Sequence, residues 1–64
     1  MKVWRVEPRV DNLGNQLWSL QYDVIYSEGV GYGLWREDRV FRDREHAMED
    51  LVYVRATSAE NLER

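Results

Sequence analysis

The sequence predicts an α+β fold in the order β-β-β-α: a three-stranded antiparallel sheet packed on one face by a single C-terminal helix. Three observations predict it. Residues Gln16 to Ser27 alternate between apolar and mixed side chains with period two. Lys2 to Glu7 alternates in the same way and runs into Pro8. After Asp43 the period changes, with Ala47, Leu51, Val54 and Ser58 recurring at helical spacing. A chain of 64 residues is one domain. The reading divides it into a sheet over 1–42, a helix over 43–58 and a frayed tail over 59–64.

In the first strand, Trp4 and Val6 share one face, and Val3, Arg5 and Glu7 the other. Pro8 has no N–H to give to a ladder, so it marks either the end of the strand or an edge position. Asp11-Asn12-Leu13-Gly14-Asn15 is turn chemistry, because Asn and Gly enter left-handed backbone conformations cheaply. The second strand places Trp18, Leu20, Tyr22, Val24 and Tyr26 on one face. Leu17, Ser19, Gln21, Asp23 and Ile25 fall on the other. That is the pattern of a strand with one buried side. Ser27-Glu28-Gly29 turns the chain. Val30 to Arg42 reads as one bent strand in preference to two short ones. Gly31 and Gly33 weaken it, and Arg36-Glu37-Asp38-Arg39 forms a tight turn or a bulge.

Asp43 is a good N-cap, and Glu45 lies in the first turn, where the helix dipole favours an anion. The predicted core is Trp4, Trp18, Leu20, Tyr22, Val24, Phe41, Ala47, Met48, Leu51 and Val54. Three Trp, four Tyr and one Phe let so small a domain bury area with few residues. On the uncovered sheet face, Val3, Leu17 and Ile25 are expected to be exposed, with Arg5, Ser19, Gln21 and Asp23 keeping it soluble.

The formal charge of -3 is unevenly placed. Residues 1–42 carry six basic and six acidic side chains. Residues 43–64 carry three Arg against six acids, so the whole excess lies in the helical segment. Zero cysteines exclude disulfides, thiolate zinc sites and cysteine nucleophiles. One histidine excludes a multi-His metal centre within the chain. His46, Glu49 and Asp50 fall within one helical turn, but nothing places a nucleophile beside His46. Gly29-Val30-Gly31-Tyr32-Gly33 runs into strand-like sequence, whereas a phosphate loop needs a helix N-terminus after it. No catalytic residue, metal or cofactor is expected. Met1-Lys2-Val3-Trp4-Arg5 lacks the apolar stretch of a secretory signal, so the expected compartment is the cytoplasm.

Val40-Phe41-Arg42-Asp43-Arg44-Glu45-His46-Ala47-Met48-Glu49-Asp50-Leu51 resembles the strand-to-helix junction of AP2-type and integrase N-terminal DNA-binding domains. Those families place a Phe at the strand end and an Ala on the helix six residues later, a small residue above a large ring. The resemblance implies a DNA-reading sheet face, here Arg5, Trp35, Arg36 and Arg39. Duplex binding draws most of its affinity from phosphate neutralisation, which a neutral sheet supplies only if those arginines converge.

The preferred expectation is a non-enzymatic binding protein. Its contact surface would be the acidic helix face of Glu45, Glu49, Asp50, Tyr53 and Glu60, with Tyr53 as an aromatic anchor ringed by charge. That surface suits a larger protein or protein–nucleic-acid complex with a basic groove. In size, charge and build the chain is similar to phage and mobile-element inhibitors, anti-CRISPR proteins among them. Membranes and small-molecule substrates are not expected partners. A homodimer through the open sheet face or an edge strand is a further reading.

Overall fold

The computed structural model describes residues 1–27 and 30–62, with side chains described for 1–26 and 31–57. The chain forms β1 (Lys2–Val10), β2 (Gln16–Ser27), β3 (Val30–Gly31), β4 (Arg36–Phe41) and α1 (Arg44–Leu62). This is the β-β-β-α plan, with β2 in the centre of an antiparallel sheet. On one side of β2, β1 pairs over its whole length, from Lys2 opposite Val24 to Val10 opposite Gln16. On the other side β3 pairs near the Ser27 end and β4 along the Trp18–Tyr22 stretch.

The β1–β2 connection shows why turn residues sit where they do. Asp11 Oδ1 accepts hydrogen bonds from the backbone N–H of Leu13 (2.9 Å) and Asn15 (2.8 Å). Gly14 takes φ +83°, which an L side chain adopts only with strain. Pro8 is not the end of β1. It lies within an edge strand, where its missing N–H costs no ladder bond. The Ser27-Glu28-Gly29 turn lies outside the described residues at Glu28 and Gly29.

The third strand differs from the single bent strand expected. It breaks into β3 and β4, and a buried carboxylate causes the break. Asp23, 6% exposed, receives the Gly33 N–H on Oδ2 at 3.0 Å and the Val24 N–H on Oδ1 at 2.9 Å. It occupies the space a side chain at Gly31 would need. Gly33 then turns the chain at φ +71°. Farther on, β4 carries a bulge, with Arg39 opposite Leu20 and Glu37 opposite Gln21. Asp38 is the extra residue.

Helix α1 begins as its sequence predicts. The Asp43 side chain accepts the Glu45 N–H at 2.9 Å, and its carbonyl accepts the Ala47 N–H at 3.2 Å. The helix lies over β1, β2 and β4, and Ala47 and Leu51 of the helix are buried, as is Leu20 of the central strand. These three are the fully enclosed apolar residues among those described. Trp4, Trp18, Tyr22, Val24, Phe41, Met48 and Val54 are half-buried around them. Val3, Leu17 and Ile25, expected to be exposed, are half-buried as well.

Candidate interaction surface

Two surfaces carry side chains that the fold does not consume: the open face of the sheet and the outward face of α1. The open face is built by alternation along β1 and β2. It carries Val3, Arg5, Glu7 and Arg9 next to Asp23, Gln21, Ser19 and Leu17. No helix covers it, yet Ser19 is 1% exposed. Long polar side chains do the covering. The Arg9 guanidinium holds both carboxylate oxygens of Glu37. Ser19 Oγ donates to Glu37 Oε1 at 2.8 Å and accepts from Gln21 Nε2 at 3.2 Å. Arg5 Nε donates to Gln21 Oε1 at 2.8 Å, and the same guanidinium stands 3.9 Å from the ring centre of Trp35.

The network thus runs from Arg9 to Trp35 across three strands. It is a satisfied structural web in which the positive charges already have partners. Arg5, Ser19 and Gln21 sit on the open face as expected, whereas the part of Arg9 and Glu37 in covering it was not anticipated. The opposite charges of Arg9 and Glu37, 28 residues apart, are a signal only once the strand register is known.

The Glu37 carboxyl is held below its ordinary value, first by the Arg9 hydrogen bond and then by that from Ser19. A carboxyl depressed in the folded state adds stability above its unfolded value, near 4.5. That stability is lost as pH falls through the lower folded value. Thermal melts between neutral pH and the acid range should therefore show a decline that begins in the ordinary carboxylate range and continues below it. E37Q should flatten part of that decline. The Asp11 carboxyl, lowered chiefly by the Asn15 backbone N–H, supplies another part and should persist in the variant.

The DNA-reading set does not come together. Arg5 and Trp35 stack on the open face. Arg39, opposite Leu20, turns to the helix side, where its Nη1 lies 3.7 Å from Asp50 Oδ2. Arg36, opposite Tyr22, falls on that same side by register. The bulge at Asp38 turns Arg39 to the helix side; in an unbulged strand it would share the open face with Glu37.

On α1, Glu45, Glu49 and Tyr53 are exposed, as the wheel predicts. Asp50 is not on that surface. Its side chain is 20% exposed and faces the β4 edge beside Arg39. It follows Ala47 by three residues and precedes Val54 by four, so it borders the buried stripe. Asp50 Oδ2 has no hydrogen-bond donor in addition to that ion pair. The Glu60 side chain lies outside the described residues. Val52, not anticipated, is 66% exposed beside Tyr53 at 68%. Ala56 completes the stripe. Glu45 and Glu49 make no ion pair among the described residues.

Among the described residues no group of three His, Cys, Asp or Glu is placed to hold a metal ion, and no helix is long and apolar enough to cross a membrane. No protein-family model matches the chain, and no curated protein or solved structure shows significant similarity to it. The junction likeness at Val40–Leu51 therefore stands on those twelve residues.

Proposed function

We propose that the chain is a non-enzymatic binding protein that docks the outward face of α1 on a basic surface of a larger protein, of the kind that otherwise holds nucleic acid. The outcome would be steric and electrostatic blockade, as in an inhibitor of the anti-CRISPR type encoded by a phage or mobile element. One observation carries the reading. An acid-flanked apolar stripe of Glu45, Glu49, Val52, Tyr53 and Ala56 points away from the chain's own sheet. Large apolar groups held in water beside unpaired carboxylates match the anchor-and-rim composition of protein interfaces. Arg5, Arg9 and Arg39, by contrast, each stand against a carboxylate of the same chain. On this outward face of α1 the described charges without an ion-pair partner, Glu45 and Glu49, are both negative.

Immobilised chain should capture nucleic-acid-binding proteins from lysate, and heparin should compete them off. E45R/E49R/Y53A should lose the capture while keeping the wild-type circular-dichroism melt, since surface substitutions of this kind shift stability by about 0.5 kcal/mol or less each. Retention of the same proteins by the triple variant refutes the helix face as the contact. The DNA-binding reading is tested alongside by titrating the chain into random duplex DNA at low salt. Micromolar, steeply salt-dependent binding would favour it over the protein-docking reading.

A further inference from the structure

The sheet ends on β1, and β2 is its one described partner. The outward hydrogen-bonding groups of this edge follow from the ladder. Ile25 N donates to Met1 O at 2.7 Å, and the Met1 amino group lies 3.5 Å from Ile25 O. Antiparallel pairs alternate from that point. Val3, Arg5, Glu7 and Arg9 therefore bond to β2, while Lys2, Trp4, Val6, Pro8 and Val10 turn their backbone groups outward. Two details agree. Pro8, with no N–H, falls on an outward position. The Trp4 carbonyl, also outward, accepts Arg55 Nη2 at 3.1 Å.

We propose that a second copy of this chain pairs with this edge, antiparallel and two-fold, with Val6 opposite Val6 of the copy. The two valines would exchange two N–H···O bonds. Arg5 would lie opposite Glu7 of the copy, and Glu7 opposite its Arg5, both pairs on the open sheet face. Within one chain these two already lie 3.6 Å apart, Nε to Oε1. Directly opposed residues on this side of the ladder form the closely spaced, non-hydrogen-bonded pairs, where opposite charges attract and like charges repel.

Neighbouring registers fail on charge. Sliding two residues one way sets Arg5 against Arg5. Sliding the other way sets Glu7 against Glu7 and Arg5 against Arg9. The central register also fits the proline. Pro8 of the copy comes opposite Trp4 and has no donor for the Trp4 carbonyl, which Arg55 already serves. Beside the seam, between α1 and β1, lies a cleft of about 450 Å³. Val6, Pro8, Trp18, Met48 and Leu51 form its apolar part, and the arginines Arg5, Arg44 and Arg55 complete the lining. A strand added to β1 would extend over the mouth of that cleft and bury apolar surface there. The outward acidic stripe of α1 faces elsewhere, so this proposal does not rest on the docking reading.

Sedimentation of the full chain over a wide concentration range should show a reversible species of twice the 7.7 kDa chain mass. V6P removes the outward N–H without touching the β2 ladder and should leave only monomer. R5E and E7R should each weaken self-association by about tenfold, because each introduces like charges at two symmetric positions. Mixing R5E with E7R in equal amounts should restore a dimer, since each chain then supplies the charge the other lacks. No effect confined within one chain gives that rescue. A chain that stays monomeric throughout, a dimer unaffected by V6P, or a mixture that does not re-associate overturns the proposal. So does a β1 edge that takes up an unrelated extended peptide while the chain alone remains monomeric.

Discussion

Replacing Leu20 by alanine is expected to leave most of the chain unfolded in water at 25 °C. Leu20 is fully enclosed near the midpoint of the central strand, opposite Val6 of β1 and Arg39 of β4 in a sheet that α1 packs against. Removing a buried leucine side chain costs about 2–5 kcal/mol, through lost transfer energy and the cavity left behind. A domain of this length seldom draws more than about 3–5 kcal/mol from its core. The expected loss thus matches the whole reserve. Urea titration followed by circular dichroism should show the folded baseline shortened or absent for L20A. The exposed V52A should stay within about 0.5 kcal/mol of the parent chain. An L20A chain with the parental midpoint would place the stabilising core somewhere other than the β2–α1 contact.

The legible and illegible parts of the molecule divide along that contact. On the helix side the sequence suffices. Trp18, Leu20, Tyr22 and Val24 repeat with period two, and Ala47, Leu51 and Val54 with helical spacing, because each set is covered by an element of regular geometry. The Asp43 cap and the Asp11–Asn15 turn are equally plain, since their hydrogen bonds span at most four residues.

The other side of the sheet is covered by side chains whose partners are remote in sequence. Ser19 is buried because Arg9 and Glu37 meet over it, and they meet only if β1 and β4 flank β2 in one particular register. The bulge at Asp38 sets half of that register, and nothing in Arg36-Glu37-Asp38-Arg39 distinguishes it from a turn. Asp50 was misplaced for a related reason. A helical wheel gives an angle but not the width of the sheet beneath, and β4 brings Arg39 far enough out to claim it. The acidic stripe keeps Glu45, Glu49 and Tyr53 and gains Val52, so it is less charged and more apolar than composition alone implied.

Gly31→Ala and Asp23→Ala should each destabilise the chain, and together by less than the sum. A Cβ at Gly31 would collide with Asp23 Oδ2 and stand 3.2 Å from its Cγ and 3.4 Å from the Val24 carbonyl oxygen. The carboxylate cannot move aside without releasing the Gly33 N–H it accepts at 3.0 Å. Forcing a methyl group into such a space costs about 1–3 kcal/mol. D23A leaves the Val24 and Gly33 N–H groups without the acceptor it had supplied, at about 1 kcal/mol, since Gly33 is exposed and water can serve it. In the double variant the collision is gone, so the G31A penalty should largely vanish. That leaves a coupling of about 1 kcal/mol or more between residues in direct contact. Urea midpoints of the four proteins measure it. G33A should cost about 1 kcal/mol on its own, for a side chain held at positive φ. Strict additivity of D23A and G31A would mean that the glycine tolerates a side chain. The break between β3 and β4 would then have a cause other than the carboxylate beneath it.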